Sequence, residues 1–155
     1  MAGLLTGPGF LGTKATFRSD VTLILILVTA VLFIIGGRLA AGKHYESHRW
    51  VQTSAVVLNT LGVLFTMISS FLIHILPGIP GKLNVGDYAV TTVHALVGMV
   101  CLILGVFIVL RGNGLVPKAL RFENYKLFMR TSYALYMLAT LLGAGVYILV
   151  YVYGI

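Results

Sequence analysis

The four histidines of this chain form two pairs, and their side chains are the best suited to chemistry. His44 and His48 are one helical turn apart, whereas His74 and His94 flank a stretch rich in proline and glycine. Imidazole is the commonest metal ligand in proteins and an axial ligand of haem iron. The two pairs are therefore the first places to look for a cofactor.

Long apolar stretches must position these histidines. Hydrophobic residues make up 59% of the 155 residues and charged residues only 10%, which excludes an ordinary water-soluble domain. Each of four stretches holds the roughly 20 residues that a helix needs to cross a bilayer. The sequence predicts an all-α, integral membrane four-helix bundle with an N-terminal extracytoplasmic segment at 1–19 and helices at about 20–42, 46–76, 87–111 and 124–153.

The basic residues predict how this bundle is oriented. The net charge is +7, and eight of the 11 lysine and arginine residues lie at the two connections between helices one and two and between helices three and four. Positive residues favour the cytoplasmic side, so both termini are expected outside, in a cell (inner) membrane. Anionic lipid headgroups, rather than nucleic acid, are the expected partner of such a basic belt.

Acidic residues indicate where two of the helices begin. Asp20 precedes the first apolar stretch as Asp87 precedes the third, and Ser19 or Asp20 and then Asp87 suit a helix N-cap. The chain then consists of two hairpins in the same orientation, which is typical of a parallel duplication about an axis along the membrane normal. The sequence leaves this duplication open.

The pair His74 and His94 is the stronger candidate site. A short turn makes the second and third helices antiparallel neighbours, so the two imidazoles can face each other near the outer surface. Haem b with two axial histidines, or a copper or zinc ion with a further ligand, suits such a pair. The alternative is that each histidine donates a hydrogen bond to a neighbouring helix or to headgroup water.

The pair at the opposite membrane surface suits a smaller ligand. His44 and His48 share one helix face if the helix extends that far, so they can hold a metal ion but cannot clamp both faces of one haem. His48 alone is a candidate axial ligand of an inner haem. Arg130 is then a candidate partner of a haem propionate, with snorkelling to the membrane surface as the alternative.

No enzyme motif accompanies these histidines. The sequence has no P-loop, no G-x-S-x-G elbow and no H-E-x-x-H helix, so the common nucleotide, hydrolase and zincin chemistries are unsupported. Cys101 is the single cysteine and lies inside the third apolar stretch, where it is expected to be a packing residue.

Short motifs near the ends of the predicted helices carry a resemblance to a known family. They are Gly-Phe-Leu-Gly at 9–12, His48-Arg49, His74, Asp87-Tyr88 with His94, Arg130 with Tyr133, and Gly-Ala-Gly-Val-Tyr at 143–147. Together they resemble the small four-helix bacterial membrane family that includes YozB and the oxidase maturation factor CtaM. The resemblance implies a role in haem or copper handling during maturation of haem-copper oxidases. Residues 123–126 hold no histidine where that family has one, so the resemblance favours His74 and His94.

Three functional interpretations follow. The first is a haem- or metal-binding protein of an electron-transfer chain, acting as an assembly helper or small cytochrome subunit of a respiratory or photosynthetic complex. The second is a structural accessory subunit without a cofactor, which packs against a larger membrane complex. The third, a quinone-linked oxidoreductase, needs a quinone pocket that the sequence does not reveal.

Overall fold

A computed structural model describes residues 7–154 of the chain. Within these residues, four helices are long and apolar enough to cross a membrane: α1 (Phe17–Ala41), α2 (Tyr45–Gly78), α3 (Gly86–Gly112) and α4 (Tyr125–Tyr153). A single 3₁₀ turn, Lys118–Leu120, lies in the connection before α4. The predicted all-α membrane bundle is confirmed.

The helices follow one another in an antiparallel, up-and-down order. α1 packs against α2, α2 against α3, α3 against α4, and α4 closes the bundle against α1. The short connections at 42–44 and 79–85 favour this arrangement, because a helix that returns after a few residues lies beside its predecessor. The buried core is formed by small and aromatic side chains of α1, α3 and α4, namely Ala30, Cys101, Tyr136 and Ala139.

The bundle has two chemically different ends. We call the end that carries residues 7–16 and the α2–α3 connection at 79–85 the terminal end, because α4 also finishes there. We call the opposite end, with the connections at 42–44 and 113–124, the basic end. The names refer to the chain alone and assign neither end to a side of the membrane.

Helix α1 begins three residues earlier than expected, and a different residue caps it. Thr16 is the N-cap, and its side chain accepts a hydrogen bond from the Ser19 backbone N–H. The prediction of Ser19 or Asp20 as the cap was therefore wrong. Asp20 lies in the first turn of the helix, and its carboxylate bonds to groups outside α1 instead of capping the helix. The prediction of Asp87 as the N-cap of α3 was also wrong: Val85 is the N-cap and makes no side-chain capping bond, and Asp87 lies in the first turn.

Residues 7–16 fold back over the terminal end and enclose Asp20, which is 0% exposed. The Asp20 carboxylate accepts hydrogen bonds from the backbone N–H groups of Phe10 (2.6 Å) and Leu11 (2.8 Å) and from the Tyr147 hydroxyl of α4 (2.5 Å). Gly9 is required for this close approach, because any Cβ there would collide with the Asp20 carboxylate. A buried carboxylate is tolerated when donors surround it, as they do here.

Helix α2 is wider than an α-helix in two places. Val63–Met67 and Phe71–Ile75 are π-helical, and such segments interrupt the regular backbone hydrogen bonds. Arg18 of α1 donates to the carbonyl oxygens of Phe65 (3.0 Å) and Thr66 (2.6 Å) at the first of them. The guanidinium therefore ties α1 to the irregular part of α2.

Candidate functional site

His94 lies on α3 and turns its ring towards α4. Its Nδ1 atom is 3.0 Å from the Ala139 carbonyl oxygen, so the two are hydrogen-bonded. The approach depends on Gly143, because a Cβ built there would lie 2.9 Å from His94 Cε1. A glycine one helical turn beyond Ala139 thus leaves the space that the imidazole fills.

A small, largely apolar cavity lies beside His94, between the four helices. It has a volume of about 30 Å³, which is space for one or two water molecules. Residues from all four helices line it: Ile26, Asn59, Val63, Met67, His94, Gly98, Cys101, Tyr136, Ala139 and Thr140. The cavity is therefore bordered along its length by an imidazole, a thioether, a thiol and an amide, of which the thiol of Cys101 is about 10 Å along α3 from His94.

The register of α2 against α3 decides which residue of α2 lies opposite His94. Near the middle of the two helices, a Cβ at Gly105 would lie 3.6 Å from the Val56 side chain. Eleven residues further towards the terminal end along each helix are Met67 and His94. Both line the cavity. Met67, which the sequence reasoning missed, is therefore the α2 residue at the depth of His94.

His74 lies in different surroundings. It is exposed in the second π-helical segment of α2, and its backbone carbonyl accepts a 3.4 Å hydrogen bond from the Tyr88 hydroxyl. It is seven residues beyond Met67, which is about 10 Å along a helix. His74 is not among the residues that line the cavity beside His94. The two members of the predicted outer pair therefore occupy a surface and an interior position.

The two histidines at the basic end are one helical turn apart, with the His48 backbone N–H donating to the His44 carbonyl oxygen, but their side chains differ in surroundings. α2 begins at Tyr45, so His44 precedes the helix as its N-cap residue and is exposed. His48, inside the helix, has its Nδ1 atom 2.7 Å from the Gly36 carbonyl oxygen of α1. His48 thus ties α1 to α2. Arg130, the predicted propionate partner, is exposed on α4, nine residues or about 13 Å along the helix from Ala139.

The dimensions of the cavity bear on the two cofactors considered. Sites for cofactors and drug-sized ligands measure roughly 300–1,000 Å³, at least ten times the volume of about 30 Å³ beside His94. A haem would require α2 and α3 to move apart, whereas a single metal ion requires no such movement. Within residues 7–154, no group of three or more His, Cys, Asp and Glu residues is close enough to hold a metal ion. A site at this position must therefore include another donor, such as methionine.

The fold and the site together define a class: a membrane-spanning four-helix bundle in which one histidine, His94, borders a small cavity between the helices. Comparison with protein-family models, with curated proteins and with solved structures finds no match to this chain.

Proposed function

We propose that this protein is a metal-binding integral membrane protein of an electron-transfer chain, which helps to assemble a larger respiratory complex such as a haem-copper oxidase. The proposal combines the motif resemblance with the surroundings of His94. In this proposal the site is inside the bundle, at His94, rather than at the membrane surface.

The hydrogen bond between His94 and Ala139 carries the proposal. Histidines that bind metal generally donate their other ring N–H to a carboxylate or a backbone carbonyl, which sets the tautomer and the orientation of the ring. The 3.0 Å contact of Nδ1 with the Ala139 oxygen is of this kind. It leaves Nε2 as the ring nitrogen that can coordinate a metal.

The location of the protein is part of the same proposal. With the basic end in the cytoplasm, exposed basic residues such as Lys118, Lys126 and Arg130 lie where anionic headgroups are found. The aromatic ring of Trp50, 57% exposed at the same end, suits a membrane interface. Assembly with a larger complex would then take place within the cell membrane.

Metal analysis and visible spectroscopy of the purified protein test this function. We expect bound metal in the wild type and its loss in His94→Gln, because an amide can still bond to Ala139 but is a poor metal ligand. The matched control is His44→Gln, which changes an exposed histidine and should leave the bound metal unchanged. Loss of the metal in both variants, or in neither, would contradict a site at His94.

A structural role without a cofactor is the second candidate, and one observation favours it. Both His48 and His94 bond to the backbone carbonyl of a neighbouring helix, and polar contacts of this kind stabilise helix association in membranes. A preparation that is colourless, binds no added metal and copurifies in fixed ratio with a membrane complex would support this role.

A further inference from the structure

We propose that the interior site is a copper(I) site with His94 and Met67 as its ligands. This inference rests on the proposed metal-binding function and specifies both the ion and the second ligand. It differs from the sequence-based expectation, in which His74 was the partner of His94.

The first argument is the position of Met67. The residue ends the π-helical segment Val63–Met67 of α2 and lines the same cavity as His94 of α3. The pairing of Val56 with Gly105 places Met67 and His94 at the same depth. A thioether and an imidazole from two adjacent helices therefore face one small space.

The second argument is the chemical nature of the donors. Thioether and thiol sulfur favour copper(I), whereas carboxylate and carbonyl oxygen favour magnesium, calcium and manganese. None of the residues that line the cavity is a carboxylate. Zinc generally takes four ligands in a tetrahedral arrangement, while copper(I) accepts lower coordination numbers. The imidazole and thioether on this cavity therefore match copper(I) better than the other common ions.

The third argument is the charge and size of the ion. Burial of an ion in a medium of low dielectric constant costs free energy that rises steeply with charge. A monovalent ion is therefore easier to hold among apolar helices than a divalent one. The cavity of about 30 Å³ accommodates a bare ion without separation of the helices.

Cys101 is the remaining sulfur donor on the cavity, and its position makes it a useful control. It lies seven residues from His94 on the same helix, about 10 Å towards the basic end. That separation places the thiol outside the reach of an ion held by His94. Cys101→Ser alters the cavity lining without changing either proposed ligand.

Anaerobic titration of the detergent-solubilised full chain with copper(I), in competition with a coloured copper(I) chelator, tests the inference. We expect the wild type to take up one ion per chain and the affinity to fall at least tenfold in Met67→Leu and in His94→Gln. The exchange of methionine for leucine preserves volume, so the fold should persist, which circular dichroism checks. X-ray absorption should show a sulfur neighbour of copper in the wild type that is absent in Met67→Leu.

Matched substitutions separate the site from general effects. Met99→Leu changes a methionine that is 47% exposed, His74→Gln changes the surface histidine, and Cys101→Ser changes the cavity wall. All three should retain wild-type copper affinity. Copper binding that survives Met67→Leu, or that is lost in His74→Gln, would overturn the ligand assignment.

Other outcomes distinguish this inference from the proposed function. A haem band that is lost in His94→Gln and retained in Met67→Leu would overturn the copper site and support metal binding at His94. A folded wild type that binds neither copper(I) nor haem nor another metal would overturn both proposals.

Discussion

Asp20 and His94 are both polar residues in an apolar bundle, but they differ in how many hydrogen bonds their side chains make. Asp20 is 0% exposed, and its carboxylate accepts hydrogen bonds from two backbone N–H groups and the Tyr147 hydroxyl. His94 is held through Nδ1 alone and borders a cavity. A buried polar group that already has hydrogen-bond partners stabilises the fold. A polar group that still has a free donor or acceptor atom beside a cavity can bind a ligand.

The space around the two side chains differs as well. At the terminal end, residues 7–16 close over Asp20, and a Cβ at Gly9 would collide with the carboxylate. Around His94, by contrast, Gly98 lines the cavity, and a Cβ there would meet no atom of the described residues within 4 Å. The difference predicts that substitutions at the two positions affect different properties: stability at Asp20, and ligand binding at His94.

The largest expected effect on stability follows from Asp20→Ala. The change removes the acceptor of the Phe10, Leu11 and Tyr147 donors, and unsatisfied buried donors are costly. We expect the free energy of unfolding in mild detergent to fall by about 3 kcal/mol. Asp87→Ala, in the first turn of α3, is the control and should cost less than about 1 kcal/mol. Equal losses in the two variants would contradict a special role for the Asp20 network.

A smaller effect is expected where His94 meets α4. Gly143→Ala places a methyl group 2.9 Å from His94 Cε1, so the ring must shift, and we expect a cost of about 1–2 kcal/mol in thermal unfolding. The control is Gly145→Ala, two residues away, where a Cβ would meet no atom within 4 Å. Because alanine favours a helix over glycine, Gly145→Ala should raise the stability by up to about 1 kcal/mol. Opposite signs for the two variants would support the contact; equal signs would argue against it.

The smallest expected effect concerns the hydrogen bond on the cavity wall. The Tyr136 hydroxyl donates to Asn59 Oδ1 over 3.3 Å, and interhelical bonds of this type contribute about 0.6 kcal/mol in membrane proteins. Tyr136→Phe should lower the free energy of unfolding by about that amount and leave copper(I) affinity unchanged. Tyr133→Phe, on an exposed ring of the same helix, should have no measurable effect. A large loss of copper affinity in Tyr136→Phe would show that the cavity wall, and not the two ligands alone, defines the site.

The arrangement of the helices could be predicted from the sequence, because the length of each apolar stretch is a local property of the chain. Each stretch of about 20 apolar residues reports its own ability to cross a bilayer, independently of its neighbours. The short connections then required antiparallel neighbours. The helix caps could not be predicted as well from the sequence. Asp20 is a residue type common at N-caps, but its carboxylate bonds to the backbone of residues 10 and 11, and Thr16 is the N-cap.

The candidate site could be predicted only in part from the sequence, because it also depends on contacts between helices. Sequence reasoning selected His94, because an ionisable side chain at membrane depth is unusual. It paired His94 with His74 by residue type, since both were expected near the same membrane surface. The register of α2 against α3, visible in the contact of Val56 with Gly105, sets Met67 at the depth of His94 instead. His74 is about 10 Å further along the helix and exposed.

The sequence by itself determined the number, length and apolar character of the membrane helices. The free energy of transfer from water into the membrane is a sum over the residues of each stretch, so it can be read from that stretch alone. Only the tertiary structure decided which side chains meet inside the bundle. That choice depends on the rotation and register of one helix against another, and these are set by contacts such as Gly143 with His94 and Gly105 with Val56. A shift by a single residue turns a side chain about 100° around its helix. The hydrophobicity of a whole helix therefore cannot specify which side chains face each other.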